Sequence, residues 1–422
     1  MKQRLYVILT VILIALMAIL LHSAFRKGGL WQPDRFNDFR AYHDAAVLAV
    51  DGRLPEAYSL KERPYQYPPT LASLILPLGF LPYRVALVVW VLVGLALLLC
   101  SFRVLDKVLC PPVMGLDKLV GFLLVYRLVE SDFANTNANV LVLGIVIIGF
   151  WLERRERSVA AGMLLALAAC VKVFPILIFP WLLTPSRRRM LGGFLLGLLF
   201  WGAIVPATVL GPSDYKDCCR AWYGSMISPM AEAEAEEPSG EEEVLYVAGQ
   251  SIRTLTYHLL RRTDASAHDE EIVTVNVAHL TRSQVEWIYV SLGLLVCGLS
   301  FVVIRLRWRG GVWRGEEIAV ACLLCVLVSP LARKAHFVML LPAAVWSFSI
   351  VRSAVGSRRW GLGALWGLAC GLVVLSSPGV LGPTLSKLVM AYCPLTFASL
   401  LLLAIALLPR ATCRFQAVEN RS

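Results

Sequence analysis

Asp38, Lys172 and the cluster Arg333, Lys334 and His336 are the residues whose type and setting in this chain could do chemistry. Asp38 opens a stretch that continues through Tyr42, Tyr58, Tyr65, Tyr67, Pro68 and Pro69. A carboxylate can take the proton of an attacking hydroxyl, and aromatic rings on a rigid backbone suit a sugar. At helical spacing Asp38, Tyr42 and Ala45 share one face, whereas Arg40 and His43 point elsewhere. Lys172 stands between Val171 and Val173 in the most apolar part of the chain, where a charge is costly unless paired or near water. An ion pair, snorkelling to the interface or a bound phosphate would each meet that cost. Ser329 to His336 gathers two cations and an imidazole in one turn between apolar runs, which suits an anionic ligand such as a lipid phosphate. Gln250 and Ser251, late in a long polar loop, add polar groups. Asn135, Asn137 and Asn139 read, for at least two of them, as helix caps. The set as a whole fits group transfer, with a base for the nucleophile and cations for the charge of an anionic leaving group.

The elements that must position these residues are membrane helices. The chain has 422 residues, 58% hydrophobic and 16% charged, with mean hydropathy +0.68, more apolar surface than a soluble core of this size needs. The reading is an all-α, polytopic membrane protein forming one integral membrane domain over residues 1–422. The net charge of +11 does not point to nucleic acid, because the arginines cluster between apolar runs, where topology signals sit. If all those clusters face the cytoplasm, residues 158–184 must cross twice. AACVKVFP offers the break, with Lys172 at the turn and Pro175 opening the second half. About twelve passes follow, with both ends inside.

On this reading the extracytoplasmic side collects the loop 22–83 with its interfacial helices and the loop 212–283 with an acidic insert of seven glutamates between Glu232 and Glu243. Pro68 to Leu81, too short to span, is an interfacial or re-entrant helix on the outer face. The first run, Leu5 to Leu21, reads as a retained helix, since no small-residue cleavage site follows it. Cys322 and Cys325 lie mid-helix with no second pair, so no metal site is expected there. No Walker loop or GxGxxG follows a strand, and nucleotide hydrolysis finds no support.

The first block, from Asp38 through Tyr42, Ala45, Ala46, Gly52 and Tyr58 to YQYPPTLASLILPLGFLP, resembles glycosyltransferase family 87. TNANVLVLG, AGMLLALAACVKVFPILIFPWLL, GQSIRTL and SPLARKAHFVMLLPA fall in that family's order, so the likeness spans residues 36–345. The resemblance implies a GT-C-type helical bundle in the plasma membrane that moves mannose from a polyprenyl-phosphate donor to a hydroxyl of a lipid or glycan acceptor on the extracytoplasmic side. It implies Asp38 as the catalytic base and Lys172 and His336 at the donor phosphate, where Arg333 and Lys334 add charge. Gln250 and Ser251 would match a family Asn-Gln-Ser motif, and Tyr42 and Tyr67 would contact substrate. A single base with direct attack implies inversion, and the absence of a DxD pair in the first outer loop predicts no metal or other cofactor. The alternative is a transporter or flippase of lipid-linked sugars, whose halves should resemble each other. No such internal symmetry is visible.

Overall fold

The computed structural model describes residues 2–31, 37–60, 64–109, 112–227, 245–246, 249–265, 273–307 and 313–409; the acidic insert lies outside them. The fold is nearly all helical. The first half comprises α1 (Lys2–Lys27), α2 (Asp38–Val50), α3 (Pro69–Gly79), α4 (Tyr83–Val108), α5 (Gly115–Ala134), α6 (Asn139–Arg154) and α7 (Ser158–Val171). A short α8 (Phe179–Leu182) leads to α9 (Arg188–Leu199), which continues through a π-helical turn into α10 (Val205–Leu210), and α11 (Pro212–Trp222) follows. The second half comprises α12 (Ile252–Leu260), α13 (Arg282–Arg307), α14 (Gly315–Leu327), α15 (Leu341–Ser353), α16 (Gly356–Leu375), α17 (Pro378–Ala391) and α18 (Pro394–Ala406). Two two-residue strands, Leu245–Tyr246 and Thr263–Asp264, pair in parallel beside α12.

Among the described residues, four helical stretches are long and apolar enough to cross a membrane: Tyr83–Val108, Pro185–Leu210, Arg282–Arg307 and Lys334–Ser353. A fifth is Thr384–Ala391 with Pro394–Ala406, if that pair, bent by 52°, is one span. α1 is 26 residues long with no charge from Leu5 to Leu21, and the remaining apolar runs form helices that are shorter or more polar, so length and composition alone do not give twelve passes. Such a run can still sit at membrane depth when neighbours enclose it. α14 is the clearest case, because every residue from Gly315 to Leu327 is buried. α13 is the opposite, with Leu292, Leu294, Leu295, Leu299, Val302 and Leu306 exposed as a lipid-facing side would be.

The direction of each helix can be read from its contacts. Tyr126 meets the Leu16 carbonyl and Glu130 meets Ser23, so α5 runs parallel to α1. Trp90 reaches the Thr136 carbonyl, Leu97 packs on Gly144 and Arg154 reaches the Val108 carbonyl, so α6 runs parallel to α4. Gly193 abuts Val159, Gly197 abuts Met163 and Gly202 abuts Cys170, so α9 runs parallel to α7. A chain that repeats its direction has turned back in between, and Val173–Leu183 is that return, as the break at Lys172 predicts. Asp117 pairs with Arg352 and Gly121 packs on Val345, which sets α15 antiparallel to α5.

These relations put Arg103, Lys107, Arg154, Arg155, Arg157, Arg187 to Arg189 and Arg352 at one end of the bundle. Arg187 is not a plain surface charge there. It is fully buried in a fork with Glu317, both oxygens at 2.8 Å, with its guanidinium 4.0 Å from the centre of the Trp313 ring. Glycine makes the α7–α9 approach feasible, since a Cβ at Gly162 would overlap the Met190 carbonyl and the Phe194 amide. Gly162→Val is therefore expected to part the two helices at a cost of about 1–3 kcal/mol or more. Thermal unfolding of the detergent-purified protein reads this as a lowered midpoint, and an unchanged midpoint would contradict the packing.

Candidate active site

The opposite end of the bundle holds the candidate site. Asn37 is the N-cap of α2, its side chain accepting from the Arg40 amide at 2.9 Å, which leaves Asp38 as the first helical residue. A carboxylate at that position is favoured by the positive end of the helix dipole. The Asp38 amide donates to the Asn135 carbonyl at 3.1 Å, which fixes the start of α2 to the turn between α5 and α6. Within that turn Thr136 has φ +52°, a left-handed conformation that is strained for a β-branched residue. Its hydroxyl donates to Asn37 at 3.1 Å and its carbonyl accepts from Trp90 at 3.0 Å, and these hold the strained turn.

The turn aims Asn137 into the site, where its amide nitrogen donates to an Asp38 carboxylate oxygen. Its amide oxygen accepts from the Lys172 ammonium at 3.0 Å. Lys172, the residue that ends α7, spends its other two protons on Asn139 Oδ1 at 2.6 Å and Tyr67 Oη at 3.2 Å. Asn139 in turn donates to Asp132 Oδ1 at 2.7 Å, and the other Asp132 oxygen accepts from the Val140 amide at 3.1 Å. The result is one chain of alternating groups, Asp132, Asn139, Lys172, Asn137 and Asp38, carrying two carboxylates on one ammonium.

Tyr42 and Tyr67 close one side. Tyr42 donates to Tyr67 at 2.6 Å, with their rings edge to face at 4.9 Å. Burial pushes both phenols up, so each remains a neutral hydrogen-bonding group. Burial also raises the Asp38 carboxyl above its usual range, while the Lys172 and Arg333 charges and the Asn137 hydrogen bond pull it back. Burial outweighs them, so Asp38 is more basic than a carboxylate in open water.

Of the residues singled out from sequence, Asp38, Tyr42, Tyr67, Lys172, Arg333 and His336 converge here. Arg333 is exposed, and His336 Nδ1 accepts from its amide at 3.2 Å while the imidazole packs on the Phe174 ring, centroids 5.5 Å apart. That hydrogen bond places the imidazole proton on Nε2, which can donate to an anion without the ring being charged. Lys334 turns away, its ammonium donating to the Ser376 carbonyl at 2.6 Å, near Arg127 and Glu130. Gln250 and Ser251 are buried. The Gln250 amide nitrogen donates to the Met390 carbonyl at 2.8 Å, its backbone amide donates to Ala332 at 2.8 Å, and Ser251 caps α12. They thus anchor the turn that carries Arg333. Asn137 and Asn139, read from the sequence as caps, instead bridge Lys172 to the two carboxylates, and Asp132 is the member of the network that sequence reasoning did not single out. Among the described residues no three His, Cys, Asp or Glu side chains are grouped to hold a metal ion.

Two cavities adjoin the network. A small one of about 20 Å³ is lined by Asp132, Thr136, Asn137 and Trp90. A larger one of about 280 Å³ shares Trp90 and Leu141 with it and is otherwise apolar, lined by Leu71, Leu74, Ile75 and Leu78 of α3, Val89 and Val93 of α4, Ile145 of α6, and Val171.

The model of glycosyltransferase family 87 matches residues 65–330. That span contains Tyr67, Asp132, Asn137, Asn139 and Lys172. No curated protein matches the chain.

Proposed function

The chain belongs to glycosyltransferase family 87, and we propose that it transfers a hexose, mannose in the first instance, with inversion, from a polyprenyl-monophosphate sugar to a hydroxyl of a lipid or glycan acceptor. The observation that carries this reading is the pairing of Asp38 with Lys172 through one asparagine, a base beside a cation at the end of the bundle remote from the arginine clusters.

Asp38 accepts the proton of the acceptor hydroxyl as its oxygen attacks the anomeric carbon. The bond from that carbon to the phosphate oxygen breaks, and the electron pair leaves with the phosphate. A phosphate leaves as an anion and needs no strong acid, only positive charge and donors aimed at where its charge grows. Lys172, Arg333 and the Nε2 proton of His336 are those groups. Attack from the face opposite the leaving group, with no enzyme nucleophile interposed, inverts the sugar.

The apolar cavity supports a lipid-borne donor, because it begins at Trp90 and Val171, one residue from Lys172, and runs between α3, α4 and α6. A phosphate at Lys172 would place an isoprenoid tail along that surface. The arginine clusters support an extracytoplasmic site, since positive loops remain cytoplasmic and would leave Asp38 on the other side. The protein then sits in the plasma membrane with the site facing outward.

Purified protein given radiolabelled polyprenyl-phosphate mannose, polyprenyl-phosphate glucose and GDP-mannose, with envelope lipids as acceptors, is expected to transfer label from the first and not from the nucleotide. Transfer from the nucleotide sugar alone would overturn the donor assignment. Single cysteines at positions 137 and 188 probed from outside intact cells decide the faces, and reactivity of position 188 alone would reverse them.

A further inference from the structure

We propose that Asp132 is the positioning residue of this site, setting through Asn139 where the Lys172 ammonium sits and keeping that ammonium available to an incoming phosphate. This rests on the reading of Lys172 as a donor-phosphate ligand.

The geometry is directional. An asparagine amide has one end that donates and one that accepts, and which end faces Lys172 is decided by what the other end meets. The Asp132 carboxylate is 1% exposed and can only accept, so it holds Asn139 Nδ2 at 2.7 Å and turns Asn139 Oδ1 toward Lys172 at 2.6 Å. The Val140 amide fixes the carboxylate itself at 3.1 Å. Lys172 therefore stands on a firm contact to Asn139, one to Asn137 and a longer one to Tyr67, which is only half-buried. The Tyr67 contact is the one an entering phosphate oxygen would replace.

The negative charge is placed one residue back from the ammonium. A carboxylate touching Lys172 would neutralise it and compete with the phosphate; a carboxylate behind an amide offsets the cost of burying the cation while leaving its charge to the ligand. The position is also unusual for an acid, since the last turn of a helix is where a negative charge is disfavoured.

An exchange of the two residues tests this. In Asp132→Asn the two amides face each other, Asn139 turns its nitrogen to Lys172, and the ammonium is displaced. In the double variant Asp132→Asn, Asn139→Asp every hydrogen bond can be remade, but the carboxylate now touches Lys172. The amide introduced at position 132 accepts from Val140 and donates to the carboxylate introduced at position 139. The single variant is expected to raise the KM for polyprenyl-phosphate sugar about 10- to 100-fold, the loss of one charge-assisted contact, with a smaller change in kcat. The double variant is expected to recover the thermal midpoint of the parent and not its KM. Recovery of both would reduce Asp132 to a structural residue, and a parent-like KM in the single variant would overturn the proposal.

A second measurement does not depend on the donor. Labelling of Lys172 by a small amine-acetylating reagent, read by mass spectrometry, is expected to speed up several-fold in the single variant and to fall below the parent in the double one. Unchanged labelling in both would overturn the positioning role even if another donor proved to be the substrate. If labelling responds while the parent ignores polyprenyl-phosphate sugars, it is the donor reading that fails.

Discussion

Asp38→Asn is expected to slow transfer by about 10²–10⁴-fold while leaving donor binding intact. Asparagine keeps the size of aspartate and can still accept from Asn137, so the network around Lys172 has no reason to collapse. What it loses is the capacity to take a proton from the acceptor hydroxyl. The loss therefore falls on the chemical step and appears in kcat and kcat/KM together. Single-turnover transfer and donor binding, measured on the same purified protein, separate the two quantities. A near-parental rate would remove Asp38 from the base role, and loss of donor binding would turn it into a binding residue.

Lys172→Met is expected to act on the other partner. The thioether fills most of the lysine volume and carries no charge, so the donor phosphate loses one cation and the anionic leaving group loses its stabilisation. A contact to a charged group is worth about 1.5–3 kcal/mol, roughly a 10- to 100-fold weakening of donor use, with a further loss in kcat if the charge grows on the leaving oxygen. Lys172→Arg, which keeps the charge but not the compact tripod of contacts, is expected to fall between Met and the parent. Equal donor affinity in parent and Met variant, by titration with the labelled lipid, would be the wrong result for this assignment.

The residues that sequence reasoning could find were those whose charge conflicts with its surroundings. Lys172 among valines and Arg333 against the trend of the other arginines stand out for that reason, and the helix break at Lys172 is visible in the valine and proline around it. Asp38 was legible through the tyrosines that follow it. Asp132, Asn137 and Asn139 were not, because a polar residue at a helix end has an ordinary use as a cap and asparagine carries no charge to signal conflict. The available signal was combined: an acid in the last turn of α5, then asparagines alternating over five residues into α6. Lys334, Gln250 and Ser251 show the converse. Their types suit ligand binding, yet Ser251 is used as the cap of the adjacent α12, and the directions of Gln250 and Lys334 depend on Met390, Thr396 and Ser376, which are distant in sequence and leave no local trace at those positions.

The buried fork between Arg187 and Glu317 bears on how the chain is made. The two residues lie 130 positions apart, and the acid belongs to α14, which is synthesised long after the arginine. Until α14 arrives, the Glu317 carboxylate is missing from the place that Arg187 comes to occupy. Removing one partner of a buried pair costs about 3–5 kcal/mol, so a chain halted before residue 317 would lack the Glu317 partner of Arg187 at the turn before α9, a mark that membrane quality-control proteases could read as unfinished.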